Sequence, residues 1–364
     1  MSKLTKIVIP VIVLLAIVGG YYLTKNKNTQ IASGQIKVGV ILPLTGDLAS
    51  LGENAKNGAM LAYQNLSAEK QKNIQLLFED DQFKPQNTVS AFNKLVDIDK
   101  VNIVICFTSG PCNAVAPLAE QKQVPLIAVA SDPKIQRDKK FVVRLEIAPS
   151  EEAKQLLNHL QAQDYKRIAS VVAVQDGIQA GYSSLKSDAW YSGREVYTDS
   201  VKPDEKDFRT VIIKALAQKP DVIFVGLLPG MAGEFGKQAK TFDYKGQFVG
   251  FNFLEGQETL DVAKGALDGI VYTNAQDPQS WFAEKYQAVY NKAYGEGAPH
   301  LFDAVSMIGQ GLGLNKSNLD WANYLSSIKD FNGALGIYSS TDTHEFTVPV
   351  MLKTIKDNKF IPYK

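Results

Sequence analysis

The side chains that most often perform catalysis do not form a recognisable catalytic set in this sequence. It has no Gly-x-x-x-x-Gly-Lys-Ser/Thr loop, no His-Glu-x-x-His helix and no Gly-x-Ser-x-Gly elbow. His159, His300 and His344 are scattered, and we interpret them as surface residues. Asp80 and Asp81 follow a predicted strand and are interpreted as strand-end and helix-capping residues rather than metal ligands. No cofactor or metal is therefore expected, and the sequence favours a binding protein over an enzyme.

Cys106 and Cys112 flank the segment Phe107–Pro111 at the end of a predicted strand. They could form a disulfide that clamps this loop, which an oxidising compartment permits. Alternatively, they are two small, partly buried thiols. We slightly favour the thiols, because a strand followed by a turn can hold the two Cβ atoms too far apart for a bond.

The charge balance excludes one class of partner. The 364 residues carry 39 Lys and Arg against 38 Asp and Glu, so the formal net charge is +1. With no basic excess to neutralise phosphates, nucleic-acid binding is not expected. Two cysteines are too few for a disulfide scaffold. The length and the 45% hydrophobic content indicate a globular chain of about two domains.

An apolar run from Ile7 to Leu23 follows Lys3 and Lys6 near the N-terminus. Its length is close to what a helix needs to cross a bilayer, so residues 1–30 are predicted to form a hydrophobic helix and a tether. An uncleaved membrane anchor is favoured over a cleaved signal peptide. In either case the rest of the chain is expected to work outside the cytoplasm, tethered to the cell membrane or, after cleavage, secreted or periplasmic.

Short β-rich runs alternate with amphipathic helical patterns from Ile36 onward, and the alternation restarts near Ser150. Such an order is typical of parallel sheets covered by helices, so we predict an α/β chain with two successive units. The predicted strands of the first unit are Ile36–Leu42, Ile74–Glu79, Ile103–Phe107, Leu126–Ala130 and Val142–Leu145, and its helices are Ser50–Leu66, Pro85–Ile98 and Ala114–Gln121. Ligands bind at the carboxyl ends of parallel strands, so two facing units predict a cleft that closes by hinge motion.

Several segments, in this order and spacing, resemble the leucine/branched-chain amino-acid-binding proteins of the periplasm. They are Ile36–Gly46, Leu51–Glu53, Asn57–Ala59, Glu79–Pro85, Thr108–Gly110, Ala114–Pro117, Val124–Ile127, Lys206–Phe208 and Lys219–Phe224. The resemblance implies the type I periplasmic-binding fold, with two Rossmann-like lobes and three hinge crossovers near Ala148–Ser150, Asn274–Pro278 and Phe331–Gly336. Lobe 1 would comprise residues 36–147 and 276–330, and lobe 2 residues 148–275 and 331–364. Its members are solute receptors that deliver to the membrane permease of an ABC importer.

The same resemblance implies a site for an α-carboxylate in lobe 1. It maps a hydroxyl and backbone N–H groups onto Ser109, with Gly110 and Cys112 nearby. It maps further contacts onto Ala130 and Ser131, in the loop after the fourth strand. A helix start with free N–H groups and a hydroxyl is a physically suitable anion site.

The sequence departs from the family pattern in lobe 2 and at the rim of lobe 1. Leu51, Ile178 and Leu228 stand where aromatic residues are common, and Asn252 replaces the carboxylate that receives the ligand's ammonium. Glu255 is close enough in sequence to substitute for that carboxylate. Because a buried ammonium without a carboxylate loses several kcal/mol, we expect a neutral or anionic solute, such as an amide or a short or aromatic acid.

Three functional classes remain open on sequence alone. The favoured one is an extracytoplasmic receptor that carries an amino acid or a related small polar solute to an ABC importer. The second is a sensory or regulatory binding module of the same fold, and the third is an extracytoplasmic α/β enzyme. Reversible one-to-one binding would favour the first two, whereas turnover would favour the third.

Overall fold

A computed structural model describes residues 34–314 and 317–364 of the chain. The strands are β1 (Ile36–Leu42), β2 (Ile74–Asp80), β3 (Ile103–Phe107), β4 (Leu126–Val129), β5 (Val142–Leu145), β6 (Ile168–Ala173), β7 (Glu195–Val201), β8 (Val222–Gly226), β9 (Gln247–Gly250), β10 (Val271–Ala275), β11 (Phe331–Gly333), β12 (Gly336–Tyr338), β13 (Glu345–Phe346), β14 (Val350–Lys356) and β15 (Lys359–Pro362). The helices are α1 (Ala49–Asn65), α2 (Ala68–Lys72), α3 (Pro85–Asn93), α4 (Ser109–Lys122), α5 (Pro149–Ala162), α6 (Asp176–Lys186), α7 (Ala189–Ser192), α8 (Arg209–Ala217), α9 (Pro229–Thr241), α10 (Gln257–Ala263), α11 (Ser280–Tyr290), α12 (Ala298–Gly311) and α13 (Asn318–Ser327).

Each of two lobes contains one large sheet, and β11 and β12 pair as a separate antiparallel sheet in lobe 1. The sheet of lobe 1 has the order β13-β5-β4-β3-β1-β2, and all of its paired strands are parallel. The sheet of lobe 2 has the order β15-β14-β10-β9-β8-β6-β7, with β14 and β15 antiparallel to their neighbours. The predicted α/β class with two parallel units is therefore confirmed.

The apolar runs become central strands because both faces of each sheet are covered by helices. Every residue of β3, β6 and β8 is buried, as expected for parallel strands that are packed on both sides. Lobe 2 has a separate core that includes Phe224, Phe235 and Phe251. Two independent cores allow the lobes to move as bodies about the segments that join them.

The third crossover between the lobes lies further along the chain than predicted. Residues 331–364 were expected to belong to lobe 2, but β13 and β14 within this range are separated at Thr347–Pro349. β13 pairs with β5 in lobe 1, whereas β14 pairs with β10 in lobe 2. Phe331, Leu335 and Tyr338 pack in the core of lobe 1. Residues 331–348 therefore belong to lobe 1, and the chain crosses at Pro349 rather than near Phe331–Gly336.

Within residues 34–314 and 317–364, no helix is both long and apolar enough to span a bilayer. The predicted anchor, Ile7–Leu23, lies outside the described residues.

Candidate functional site

A cavity of about 620 Å³, counting its open mouth, lies between the two lobes. Both lobes contribute to its wall, mostly with apolar side chains. The lining residues are Leu48, Leu51, Phe83, Phe107, Thr108, Ser109, Val129, Ala130, Ser131, Glu146, Gln175, Leu228, Pro229, Asn252, Phe253, Glu255 and Glu296.

The first turn of α4 faces this cavity, and its backbone N–H groups make this end of the cavity a hydrogen-bond donor. Its first N–H groups have no acceptor inside the helix. Thr108 precedes the helix with φ of +69°, and its hydroxyl is buried without a hydrogen-bond partner in the structure. The hydroxyl of Ser109 lies 3.3 Å from that of Ser131 and accepts the N–H of Asp132 at 3.2 Å. The helix macrodipole favours an anion here.

A disulfide between Cys106 and Cys112 joins the end of β3 to the first turn of α4. The two Cα atoms are 5.6 Å apart, so the expectation of two free thiols is wrong. The reason is that α4 begins at Ser109, five residues before the predicted Ala114, and its tight first turn brings Cys112 back over the strand. The bond fixes the loop that carries Thr108 and Ser109.

Removing this disulfide with the pair Cys106→Ala and Cys112→Ala is expected to lower the free energy of unfolding by about 2–3 kcal/mol, because the unfolded chain regains loop entropy. Urea unfolding of the wild type with and without reductant measures this, and the double variant should match the reduced wild type. An unchanged midpoint in both would contradict a stabilising role.

The lobes are in contact across the mouth of the cavity. Ser50 of lobe 1 donates a hydrogen bond to Glu258 of lobe 2. Asn113 of lobe 1 donates to Asp176 of lobe 2 at 2.7 Å. An added Cβ at Gly177 of lobe 2 would lie only 2.7–2.8 Å from the hydroxyls of Ser131 and Ser109 in lobe 1. The structure is therefore a closed form of a hinged protein.

The side chains at the lobe 2 end of the cavity offer acceptors. Asn252 is buried, and its amide oxygen has no hydrogen-bond partner among the described residues. Glu255 accepts from Lys353 at 2.9 Å, from Tyr272 at 2.6 Å and from Asn274 at 2.8 Å. Burial alone would lower the pKa of Lys353, but the carboxylate of Glu255 raises it above its usual value. Lys353 therefore remains charged and already neutralises Glu255.

A second ionic cluster closes the cavity on the lobe 1 side. His300 is buried on α12, 3.1 Å from Glu146, and ligating atoms of His300, Glu146 and Glu296 lie within 4.8 Å of one another. Burial would lower the pKa of His300, but Glu146 and then Glu296 raise it to about 9. The raised pKa favours the imidazolium form of His300, which pairs with Glu146.

Two of the three histidine interpretations are corrected by the structure. His300 is buried because it follows Pro299 into the first turn of α12, where that face packs behind the cavity. His159 is also buried and packs edge-on against Tyr363. Asp80 and Asp81 lie at the end of β2 as predicted, and their carboxylates accept N–H groups of the adjoining loops. The predicted capping of the following helix is wrong, because Lys84 occupies the cap position and no side chain caps α3.

Seven of the ten residues predicted to bind ligand are brought together around the cavity. They are Leu51, Ser109, Ala130, Ser131, Leu228, Asn252 and Glu255. Gly110, Cys112 and Ile178 do not line it. Cys112 is buried and bonded to Cys106, and Gly110 has only Pro85 near its Cβ direction. Ile178 is fully buried in the core of lobe 2, because the neighbouring Gly177 takes the position that faces lobe 1.

The sequence interpretation missed several lining residues. Glu146 directly follows β5, and Gln175 lies two residues after β6. Ligands bind at the carboxyl ends of parallel strands, so these positions could have identified both residues. Glu296 lies in the loop between α11 and α12, where no local pattern marks it. Phe253 follows Asn252 in a short 3₁₀ turn that the sequence did not predict.

Two α/β lobes closed over one mostly apolar cavity define a two-lobed solute-binding protein. The profile of the family described as "Periplasmic binding protein" matches residues 35–359. The chain belongs to this family, as the resemblance predicted.

Relatives and solved structures agree with this assignment. The chain is 25% identical to the Leu/Ile/Val-binding protein BraC3 of Rhizobium johnstonii over 312 residues, which cover 82% of this chain and 85% of the relative. It is similar to the structure of a leucine-binding protein LivK of Thermotoga maritima, with a TM-score of 0.85 at 20% identity, covering 90% of this chain and 98% of the other. It is also similar to a solute-binding protein of an ABC transporter from R. palustris in complex with benzoate, with a TM-score of 0.79 at 20% identity over 90% and 95% of the two chains. These likenesses establish the type I fold.

Proposed function

We propose that this chain is an extracytoplasmic receptor that binds a small carboxylate-bearing solute and delivers it to the permease of an ABC importer by hinge closure. The observation that carries the proposal is the start of α4, whose free N–H groups and unpartnered Thr108 hydroxyl face an enclosed cavity. The relatives named above include proteins for branched-chain amino acids and one bound to benzoate, and these ligands share a carboxylate and an apolar body.

The wall of the cavity supports the same class of solute. Leu48, Leu51 and Phe107 of lobe 1 face Leu228 and Phe253 of lobe 2 across the space. An apolar body of the solute would be removed from water when the lobes close, which contributes roughly 25 cal/mol for each Å² buried. Closure would also place the carboxylate away from water, next to the helix N-terminus, where its charge is stabilised most.

Binding of a carboxylate is tested by calorimetric titration of the full-length protein with leucine, phenylalanine, benzoate and their primary amides. We expect reversible one-to-one binding of at least one carboxylate and no binding of its amide. A carboxylate present at a hundred times its dissociation constant should also stabilise the protein by about 2.7 kcal/mol. Amides that bind as tightly as the acids would contradict the proposed anion site.

Ser109→Ala is expected to weaken the affinity for the carboxylate by about 10- to 100-fold, because a hydrogen bond to a charged group contributes roughly 1.5–3 kcal/mol. Ser90→Ala is the matched control, since Ser90 is an exposed serine of lobe 1 whose hydroxyl bonds only to Gln86. Titration of both variants with the same acid measures the difference, and equal affinities would place the carboxylate elsewhere.

A further inference from the structure

The cavity wall next to the segments that join the lobes, here called the hinge side, holds more carboxylates than cations. Glu146 is paired with His300 at 3.1 Å, and Glu255 is paired with Lys353 at 2.9 Å. Lys353 is shared with Asp277 at 3.4 Å. Glu296 is the remaining acid, and within the described residues no cationic nitrogen lies within ion-pair distance of it. Its carboxylate accepts one hydrogen bond, from the Asn274 amide at 3.1 Å.

Glu296 is also the carboxylate with open space in front of it. It is only partly buried although it lies deep between the lobes, because its side chain lines the ligand cavity and the smaller chamber behind it. The Asn274 amide links it to Glu255, which follows the turn that carries Asn252. Asn252, whose buried amide oxygen has no hydrogen-bond partner among the described residues, lines the same cavity. The cavity thus has a donor end at α4 and an acceptor end on its hinge side.

We propose that Glu296 receives a protonated amine of the solute and is the residue that selects for it. The proposal rests on the proposed function, because it adds a second charged group to a carboxylate-bearing solute. It assigns this role to Glu296 in lobe 1 rather than to Glu255, whose charge Lys353 already neutralises. An amine at Glu296 would complete the ion pairing of the cluster and also supply N–H donors for the Asn252 oxygen. The solute is then a zwitterion rather than the neutral or anionic compound that the sequence suggested.

The protonation of Glu296 gives the proposal a signature that does not need a variant. Burial raises the pKa of Glu296 to about 7, with Glu255 and Glu146 raising it further and His300 and the Asn274 amide opposing them. In the closed form without solute, a pKa of about 7 leaves a proton on Glu296 in a large fraction of molecules at pH 7. A cationic amine stabilises the ionised carboxylate, so its binding should release that proton. A carboxylate without an amine should leave the proton in place.

The experiment compares matched pairs that differ only in the amine: leucine with 4-methylpentanoate, and 4-aminobutanoate with butanoate. Each is titrated into the full-length protein at pH 7 in two buffers of different ionisation enthalpy, which reports proton release. We expect an amine-bearing acid to bind at least 10-fold more tightly than its partner and to release a measurable fraction of a proton. Glu296→Gln should reduce that preference by about 10- to 100-fold, abolish the proton release and leave the affinity for the amine-free acid within about 3-fold.

Two variants locate the effect. Glu284→Gln, an exposed acid of α11, should behave as the wild type. Loss of the preference in Glu255→Gln but not in Glu296→Gln would overturn the proposal in favour of Glu255. Equal binding of both members of every pair by the wild type would overturn it too, while leaving the carboxylate receptor intact. Binding of neither member would instead remove the proposed function itself. If Glu296→Gln is poorly folded, the wild type still tests the proposal, because an amine-bearing acid that binds without releasing a proton would overturn it.

Discussion

Replacing Gly177 with valine is expected to weaken solute binding by about 10- to 100-fold, because overpacking of a close contact costs roughly 1–3 kcal/mol. Gly177 is in the first turn of α6, and a Cβ there would lie 2.7 Å from the Ser131 hydroxyl and 2.8 Å from that of Ser109. Both serines belong to the opposite lobe. The added side chain therefore opposes the closed form. Within lobe 2 it also meets the Phe253 ring at 3.1 Å, so that ring must shift by a few tenths of an ångström in either form.

Gly230→Val provides the matched control for this prediction. Gly230 is likewise the second residue of a lobe 2 helix, α9, and follows Pro229 in the cavity wall. A Cβ at Gly230 meets no atom within 4 Å. Titration should show near-wild-type affinity for Gly230→Val, and small-angle scattering should show that saturating solute contracts this variant but not Gly177→Val. A Gly177→Val protein that contracts and binds normally would mean that the serines are not in contact with α6 in the bound state.

Gly177 and Ile178 also illustrate how far the sequence could locate the site. The family resemblance brought the prediction to the correct turn, but it selected Ile178, whose side chain is in the core. Successive helical residues point about 100° apart. An error of one position therefore selects a side chain that points into the core instead of the cavity. Local patterns give the strands and the helix starts, whereas the facing direction of a first-turn residue depends on how the other lobe docks.

The family resemblance located the lobe 1 side of the site, and it lies at the carboxyl ends of two strands. Ser109, Ala130 and Ser131 follow β3 and β4, and all three line the cavity as the parallel-sheet rule predicts. Glu296 and Lys353 were not identifiable in this way. They come from a helix connection and from an antiparallel strand that enters lobe 2 after the third crossover. Their meeting near Glu255 is a consequence of the crossovers, which no short-range pattern encodes.

Glu152→Gln is expected to stabilise the folded protein at pH 8 by roughly 3–5 kcal/mol, since a tenfold change in proton affinity corresponds to about 1.4 kcal/mol. Glu152 is completely buried in the first turn of α5, behind the cavity. One carboxyl oxygen accepts a hydrogen bond from Thr273 at 3.0 Å, and the other has no partner among the described residues. Burial, with the nearby charges of Glu146 and Glu296, raises its pKa from 4.5 to about 8.

The sign of the pH dependence follows from these two pKa values. Between pH 4.5 and about 8 the folded protein holds a proton on Glu152 that the unfolded chain has released. The contribution of Glu152 to stability is therefore most favourable below pH 4.5 and is lost as the pH rises towards 8. Glutamine keeps the shape and the acceptor for Thr273 and has no proton to lose, so the variant should lack this loss.

Urea unfolding at pH 5, 6, 7 and 8 measures the difference between the variant and the wild type at each pH. The difference should grow with pH, because only the wild type has the Glu152 carboxyl whose proton must be lost as the pH rises. Glu151→Gln changes the adjacent but exposed carboxylate and should show a small, nearly constant difference. A Glu152→Gln difference that is flat across this range would mean that Glu152 is ionised in the folded protein. Its charge would then have to be compensated by rearrangement of the Glu146–His300–Glu296 cluster, and closure of the hinge would itself become pH-dependent.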